Sequence, residues 1–201
     1  MKLLLTRALE DSAATKKELE RQGYEVFCLP LIAIYPASDG GARLKRAAKE
    51  IKKYDWLILT SRNAERALKH YIKKLPKKLK IAAVGHEGVA GLIEFFKNKN
   101  VRGKRFLYPR SQIGREELHR FLKKRGAIVD LVEAYQTKPS SVTAKKIETV
   151  LKKGVEVVLF FSPSAVKSFF GKMRGKKKLL KKIAFVPIGP TTAKALARTR
   201  M

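Results

Sequence analysis

Short apolar runs alternate with amphipathic stretches along the whole chain. Leu3-Leu4-Leu5 has the character of a buried strand, and 12–22 has the spacing of a helix that Gly23 ends. A second strand follows over 24–28, and extended chain resumes past Pro30 over 31–35. Residues 36–41 hold Pro, Ser, Asp and two Gly, a turn-rich connection. The pattern continues with helix 43–52, strand 56–59, helix 63–73, strand 81–84 and helix 87–98. Strand 105–108, helix 115–124 and a long extended run over 127–137 come next. The last part reads as helix 142–152, strand 155–161, helix 164–173, strand 183–186 and helix 191–197. Val157-Val158-Leu159-Phe160-Phe161 is apolar on both faces. Strands of that kind belong to parallel sheets covered by helices, so the expected class is α/β.

The pattern also repeats. Arg7 and Arg110, Gly23 and Gly126, and Pro36 and Pro139 are each 103 positions apart. Trp56-Leu57-Ile58-Leu59-Thr60-Ser61 aligns with Val157-Val158-Leu159-Phe160-Phe161-Ser162 at an offset of 101. Val84-Gly85 aligns with Ile188-Gly189 at 104. Collinear blocks at nearly one offset indicate a duplicated α/β unit, hence two similar lobes. A two-lobed protein commonly takes its ligand between lobes.

Composition narrows the partners. The chain has 201 residues, enough for one domain or two small ones. With 45% apolar residues it is no disordered chain, and no apolar run approaches the ~20 residues that span a bilayer. Met1 to Arg7 is too short for a secretory apolar region, and one cysteine, Cys28, excludes a disulfide framework. The cytoplasm is the default location. The outlier is charge: Lys+Arg 46 against Asp+Glu 17, a formal +29. That field attracts nucleic acid, anionic surfaces or a polycarboxylate, and nonspecific polyanion binding is expected from it alone. Much of the excess sits in Lys73-Lys74, Lys77-Lys78, Lys176 to Lys178 and Lys181-Lys182, which read as solvated surface.

The chemistry lies in the strand-to-helix turns. They are Thr60-Ser61-Arg62-Asn63, Gly85-His86, Pro109-Arg110-Ser111, Ser162-Pro163-Ser164 and Gly189-Pro190-Thr191-Thr192. Ligands of open parallel sheets bind at the carboxyl ends of the strands. A Ser or Thr there caps the next helix, and the same helix end offers free N–H groups to a carboxylate or phosphate. Plain capping remains the alternative at each turn; recurrence in both halves favours anion binding. No P-loop, dinucleotide fingerprint or nucleophile elbow is present. His70, His86 and His119 lack metal-ligand spacing, so no metal site is expected. Cys28 reads as core, and Tyr135, ending an extended run, reads as a packed aromatic when taken alone.

Together these pieces resemble the uroporphyrinogen-III synthase family. The matching segments are Leu4-Leu5-Thr6-Arg7, Leu59-Thr60-Ser61-Arg62-Asn63-Ala64, Ala83-Val84-Gly85, Tyr135-Gln136-Thr137, Phe160-Phe161-Ser162-Pro163-Ser164-Ala165 and Ile188-Gly189-Pro190-Thr191-Thr192-Ala193. They span nearly the whole chain in the family's order. The resemblance implies two similar Rossmann-like or flavodoxin-like parallel-sheet domains joined by a two-stranded linker. Domain one would comprise 1–34 plus 138–201 and domain two 37–134, with linker strands at about 31–36 and 132–137.

It also implies the reaction. Hydroxymethylbilane, a linear tetrapyrrole octacarboxylate, loses its hydroxyl as water and closes to uroporphyrinogen III with the last pyrrole ring inverted. No cofactor or metal is implied. The implied acid is Tyr135: a phenol, with an ordinary pKa of ~10, is a protonated donor at neutral pH. The implied substrate-binding set is Thr6, Arg7, Thr60, Ser61, Arg62, Asn63, Gly85, Arg110, Ser162, Pro163, Ser164, Gly189, Pro190, Thr191 and Thr192. A monomer receiving its substrate from hydroxymethylbilane synthase is expected. Gly88 stands where many relatives carry Thr. The sequence stops soon after Thr191-Thr192, where relatives run on, so a sheet edge and apolar surface are expected to lie uncovered. Two other readings remain: a basic nucleic-acid-binding protein, which the +29 charge supports, and a non-catalytic two-lobed anion-binding module.

Overall fold

A computed structural model describes residues 1–85, 88–114 and 116–199. By contact density the chain divides into two compact units, Met1–Ala33 with Lys138–Met201, and Ile34–Thr137. Each is built on a mainly parallel sheet with helices on both faces.

The first unit contains β1 (Lys2–Leu5), α1 (Leu9–Arg21), β2 (Glu25–Cys28) and the start of β3 (Ile32–Pro36). The second contains α2 (Ala42–Lys49), a 3-10 turn at Ile51–Lys53, β4 (Trp56–Leu59), α3 (Arg62–Lys69) and β5 (Lys80–Ala83). It continues through α4 (Gly88–Lys97), β6 (Arg105–Ser111), α5 (Glu117–Lys124) and most of β7 (Ile128–Pro139). The first unit resumes with α6 (Ala144–Leu151), β8 (Val157–Phe160) and α7 (Pro163–Lys172), then α8 (Lys177–Leu180), β9 (Ala184–Pro187) and α9 (Pro190–Ala197).

The sheet of the first unit has the order β2-β1-β8-β9, with all three pairings parallel. The second sheet has the order β3-β7-β6-β4-β5, and its last four strands are parallel. The sequence repeat aligns β1 with β6, β2 with β7, β8 with β4 and the ends of β9 and β5. Those counterparts occupy the same places in the two sheets, so the duplication is visible in strand order.

Alternation along the strands divides each sheet's apolar residues between two cores. In the first unit, Leu3, Leu5 and Val26 face one way with Leu19 of α1 against them. Leu4, Val158 and Phe160 face the other way, under Ile147, Val166 and Phe169 of α6 and α7. In the second, Leu57 and Leu107 meet Leu44, Ala64 and Leu68 of α2 and α3. Ile58, Phe106 and Tyr108 meet Leu92, Phe96, Leu118 and Leu122 of α4 and α5.

Several boundaries differ from the sequence reading. The helix expected over 63–73 ends at Lys69, because Tyr71 and Ile72 turn back onto the α2–α3 core. The helix expected over 43–52 tightens into the 3-10 turn after Lys49. The lysine run around 176–182 holds the unforeseen α8, whose Leu180 is buried. The helices expected to begin at Glu87 and Arg115 have starting residues outside the described ones. β9 is an edge strand, and Val186 within it and Ile188 just after it are exposed. Beside it Phe170, Phe185, Pro187, Ala193 and Leu196 line a groove of about 480 Å³. No described helix is long and apolar enough to cross a membrane.

The turn before α2 gives two tests of the local account. Gly41 has φ +87°, and a Cβ there would sit 2.4 Å from the Tyr71 hydroxyl oxygen. Left-handed backbone costs an L-residue ~1–2 kcal/mol, so Gly41→Ala is expected to lose at least that much stability. Adding Tyr71→Phe should restore part of the loss in urea unfolding; an unchanged Gly41→Ala midpoint would contradict the geometry. Asp39 accepts from the Gly41 and Arg43 N–H groups at 2.8 and 2.9 Å. The Arg43 N–H, chiefly, lowers its carboxyl pKa. A lowered folded-state pKa stabilises above the unfolded value of ~3.9, and that contribution is lost as pH falls through the folded value. The urea-midpoint gap between wild type and Asp39→Asn should therefore be present at pH 7 and shrink in acid. A gap that widens in acid would refute this sign.

Candidate active site

Parallel pairing puts the carboxyl ends of each unit's strands on one edge, where the predicted residues gather.

In the first unit, β1 leads into Thr6 and Arg7. Thr6 is fully buried and donates its hydroxyl to the Leu159 carbonyl at 2.8 Å. It ties β1 to β8, and its side chain is fully enclosed at this strand end. Arg7 lies 3.5 Å from Asp11, with its guanidinium carbon 4.8 Å from the Phe161 ring centre. Its Nε is shielded and has no hydrogen-bond partner among the described residues, so one donor there is unsatisfied. Ser162 accepts the Ala165 N–H at 3.2 Å and caps α7, with Pro163 in the first turn. Ser164 is half-buried beside it.

Gly189 precedes α9 with φ +89° and ψ 156°, a conformation that glycine alone adopts readily, and Pro190 follows in the first turn. Thr191 is half-buried. Thr192 is 2% exposed.

In the second unit, β4 runs into Thr60 and Ser61. Ser61 caps α3 by accepting the Ala64 N–H at 3.1 Å, with Arg62 exposed and Asn63 half-buried after it. Its backbone, φ −158° and ψ 150°, nearly matches that of Ser162, φ −157° and ψ 153°. Gly85 is exposed after β5, and its carbonyl accepts the Gly88 N–H at 3.1 Å. Gly88 has φ +64°, which a threonine would rarely adopt. The residue expected to depart from the relatives' pattern thus fits its own backbone.

Arg110, at the end of β6, is buried, and its guanidinium lies 3.9 Å from the Glu116 carboxylate. Gly114 leaves room for it: a Cβ there would approach the Arg110 side chain to 3.0 Å.

Tyr135 reaches this edge through an irregularity. Along β7, Val129 and Leu131 pack towards α4 and α5, while Val132 and Ala134 pack towards α2 and α3. Strict alternation would send Tyr135 to the α4–α5 side. The register against β6 skips a residue instead, from Arg110↔Glu133 to Ser111↔Tyr135. This bulge turns Tyr135 to the α2–α3 side, where its hydroxyl donates to Ser61 Oγ at 3.0 Å.

Three neighbours of the predicted residues went unseen in the sequence. Tyr108, 2% exposed on β6, lies beside the Thr60 hydroxyl. Burial raises its phenol pKa and the Thr60 hydroxyl opposes that shift. The others are Glu116 against Arg110 and Phe161 under Arg7. Phe-Leu-Tyr in a strand reads as core, and neither of the other pairings has a sequence signature. Thr60 and Ser61 thus each lie beside a tyrosine, one from either face of the sheet.

The remaining candidates lie apart. His70 is exposed at the end of α3, burial lowers the His119 pKa, and His86 is outside the described residues. Cys28 is half-buried, and its thiol pKa is raised by burial. No cluster of metal-ligating side chains occurs among the described residues. The groove beside β9, and another of about 360 Å³ lined by Arg43, Arg46, Tyr54 and Asp130, include none of the predicted residues.

A sequence profile of the family described as uroporphyrinogen-III synthase HemD matches residues 13–88 and 86–201. The chain belongs to that family. The uroporphyrinogen-III synthase of Synechococcus elongatus is 28% identical over 95% of this chain and 83% of its own. Two solved structures share the fold. A mutant uroporphyrinogen III synthase of the extremely thermophilic bacterium Thermus thermophilus superposes with a TM-score of 0.60 at 18% identity, over 99% of this chain and 89% of the other. The uroporphyrinogen-III synthetase of Helicobacter pylori does so with 0.58 at 19%, over 98% and 88%. Family membership gives the strand-end serines, threonines and arginines of this chain a common context.

Proposed function

We propose that this chain is a uroporphyrinogen-III synthase, a hydro-lyase that converts hydroxymethylbilane to uroporphyrinogen III and water. The observation that carries the reading is the Tyr135–Ser61 hydrogen bond at a strand-end edge that also holds Arg110, in a chain of this family.

The chemistry asks little. Departure of hydroxide needs a proton, which a positioned acid supplies. The resulting azafulvene is electrophilic enough to need no protein nucleophile. Inversion of the last ring requires the substituted carbon to attack first, giving a spiro intermediate that reopens and recloses. Enforcing that order is a matter of orientation. Left to itself, the bilane closes without inversion.

Tyr135 is the acid of this account. Arg7 and Arg110, with the N–H groups at the starts of α3, α7 and α9, take the carboxylates. The Arg7 side chain keeps one-fifth of its surface exposed, and that surface supports the assignment. Thr60, Ser61, Ser162, Ser164 and Thr191 add hydroxyls. The reading also entails a monomer that takes its substrate from hydroxymethylbilane synthase.

Expression in a bacterial strain lacking its own uroporphyrinogen-III synthase tests this in cells. Restored haem formation is expected. Continued accumulation of type I porphyrin, with the chain present and folded, would overturn the reading.

A further inference from the structure

We propose that the proton reaching the substrate hydroxyl comes from Ser61, with Tyr135 behind it as the proton source. This rests on the synthase reading above.

The inference follows from the donors and acceptors at one oxygen. A serine hydroxyl accepts two hydrogen bonds and donates one. Ser61 Oγ accepts the Ala64 N–H at 3.1 Å and the Tyr135 O–H at 3.0 Å. A phenol is more acidic than an alcohol, so the shared proton rests on Tyr135. Both acceptor positions of Ser61 are then filled, and its own O–H is left to donate elsewhere. Tyr135, with its O–H directed at Ser61, presents only lone pairs to a ligand.

The duplicated unit supplies an independent control. Ser162 makes the same cap with nearly the same backbone angles. The residue 103 positions before Tyr135 is Ile32, so the repeat carries no phenol at the corresponding place. Capping does not require the tyrosine. Among the described strand pairings, the first unit shows no register shift like the one in β6–β7 that turns Tyr135 towards Ser61.

The proton balance closes without a further reagent. The Ser61 proton passes to the leaving hydroxyl oxygen, the carbon–oxygen bond breaks, and water departs from the azafulvenium cation. The Tyr135 proton moves to Ser61, leaving a phenolate. Once the spiro intermediate has reopened, the unsubstituted carbon of the last pyrrole recloses the macrocycle and loses its proton. That proton returns through Ser61 to Tyr135.

The test compares Ser61→Ala, Tyr135→Phe and the double variant in steady-state turnover of hydroxymethylbilane to type III product. A relay makes the three equally slow, each ~100-fold or more below wild type, because either break stops the same proton. Ser61→Thr, which keeps a hydroxyl, should recover most of the rate. Thr143→Ala removes a comparable cap from α6 and should leave turnover unchanged. Ser61→Ala within ~5-fold of wild type, or losses that multiply in the double variant, would overturn the relay while leaving the synthase reading intact. Wild-type chain making only type I would overturn both. Should Ser61→Ala fail to fold, kcat of the wild type across H2O–D2O mixtures decides: a bowed dependence supports two protons in flight, and a straight line refutes them.

Discussion

Replacing Tyr135 with Phe is expected to lower turnover to type III product by ~10²–10⁴-fold, the usual contribution of a positioned acid. KM should change little, because the Tyr135 hydroxyl contacts Ser61 and the carboxylates are assigned to other groups. The ring of Tyr135 packs against the α2–α3 core and Phe keeps it, so the fold should persist. The type I share of the product should rise, since the uncatalysed closure then competes. Paired measurements of kcat and isomer ratio check this. A Phe variant within a few-fold of wild type, with its isomer ratio intact, would remove Tyr135 from the chemistry.

Phe169→Ala is expected to have the largest effect on stability. Phe169 is fully buried in α7, with its ring centre 5.4, 5.3 and 5.8 Å from those of Phe160, Phe170 and Phe185. Removing such a ring costs ~3–5 kcal/mol through lost transfer energy and the cavity left behind. A typical domain has only ~5–15 kcal/mol in total, so much of the first unit's stability is at stake. Phe95, which is 44% exposed and also meets two rings, is the comparison. Phe95→Ala should cost clearly less. Denaturant unfolding of both variants, followed by circular dichroism, measures the difference. Equal losses would mean that the four-phenylalanine cluster does not carry the packing assigned to it.

The fold was legible where the physics is local. Apolar runs marked the strands, and Gly23 marked the end of α1. The offset pairs Arg7/Arg110 and Gly23/Gly126 anticipated strands in equivalent places of two similar sheets. What the sequence hid depends on partners distant in the chain. The β7 bulge exists only as a register against β6, and nothing in Val132 to Thr137 marks it. The end of α3 at Lys69 is set by Tyr71 and Ile72 finding core on α2, which overrides the helical propensity of the residues beyond. At the site, the strand-end serines and threonines were visible from position alone. Their different surroundings were not: Thr6 and Thr192 are buried, Thr60 lies beside Tyr108, and Ser61 is hydrogen-bonded to Tyr135. Each outcome is decided by which neighbouring strand supplies a partner.

The central claim is that this chain directs ring closure towards the inverted isomer. Hydroxymethylbilane generated in situ by a deaminase, mixed with the purified chain, oxidised and separated chromatographically, tests it most directly. Predominantly uroporphyrin III, against uroporphyrin I in the blank, is the expected result. Type I alone from demonstrably folded chain would contradict the account.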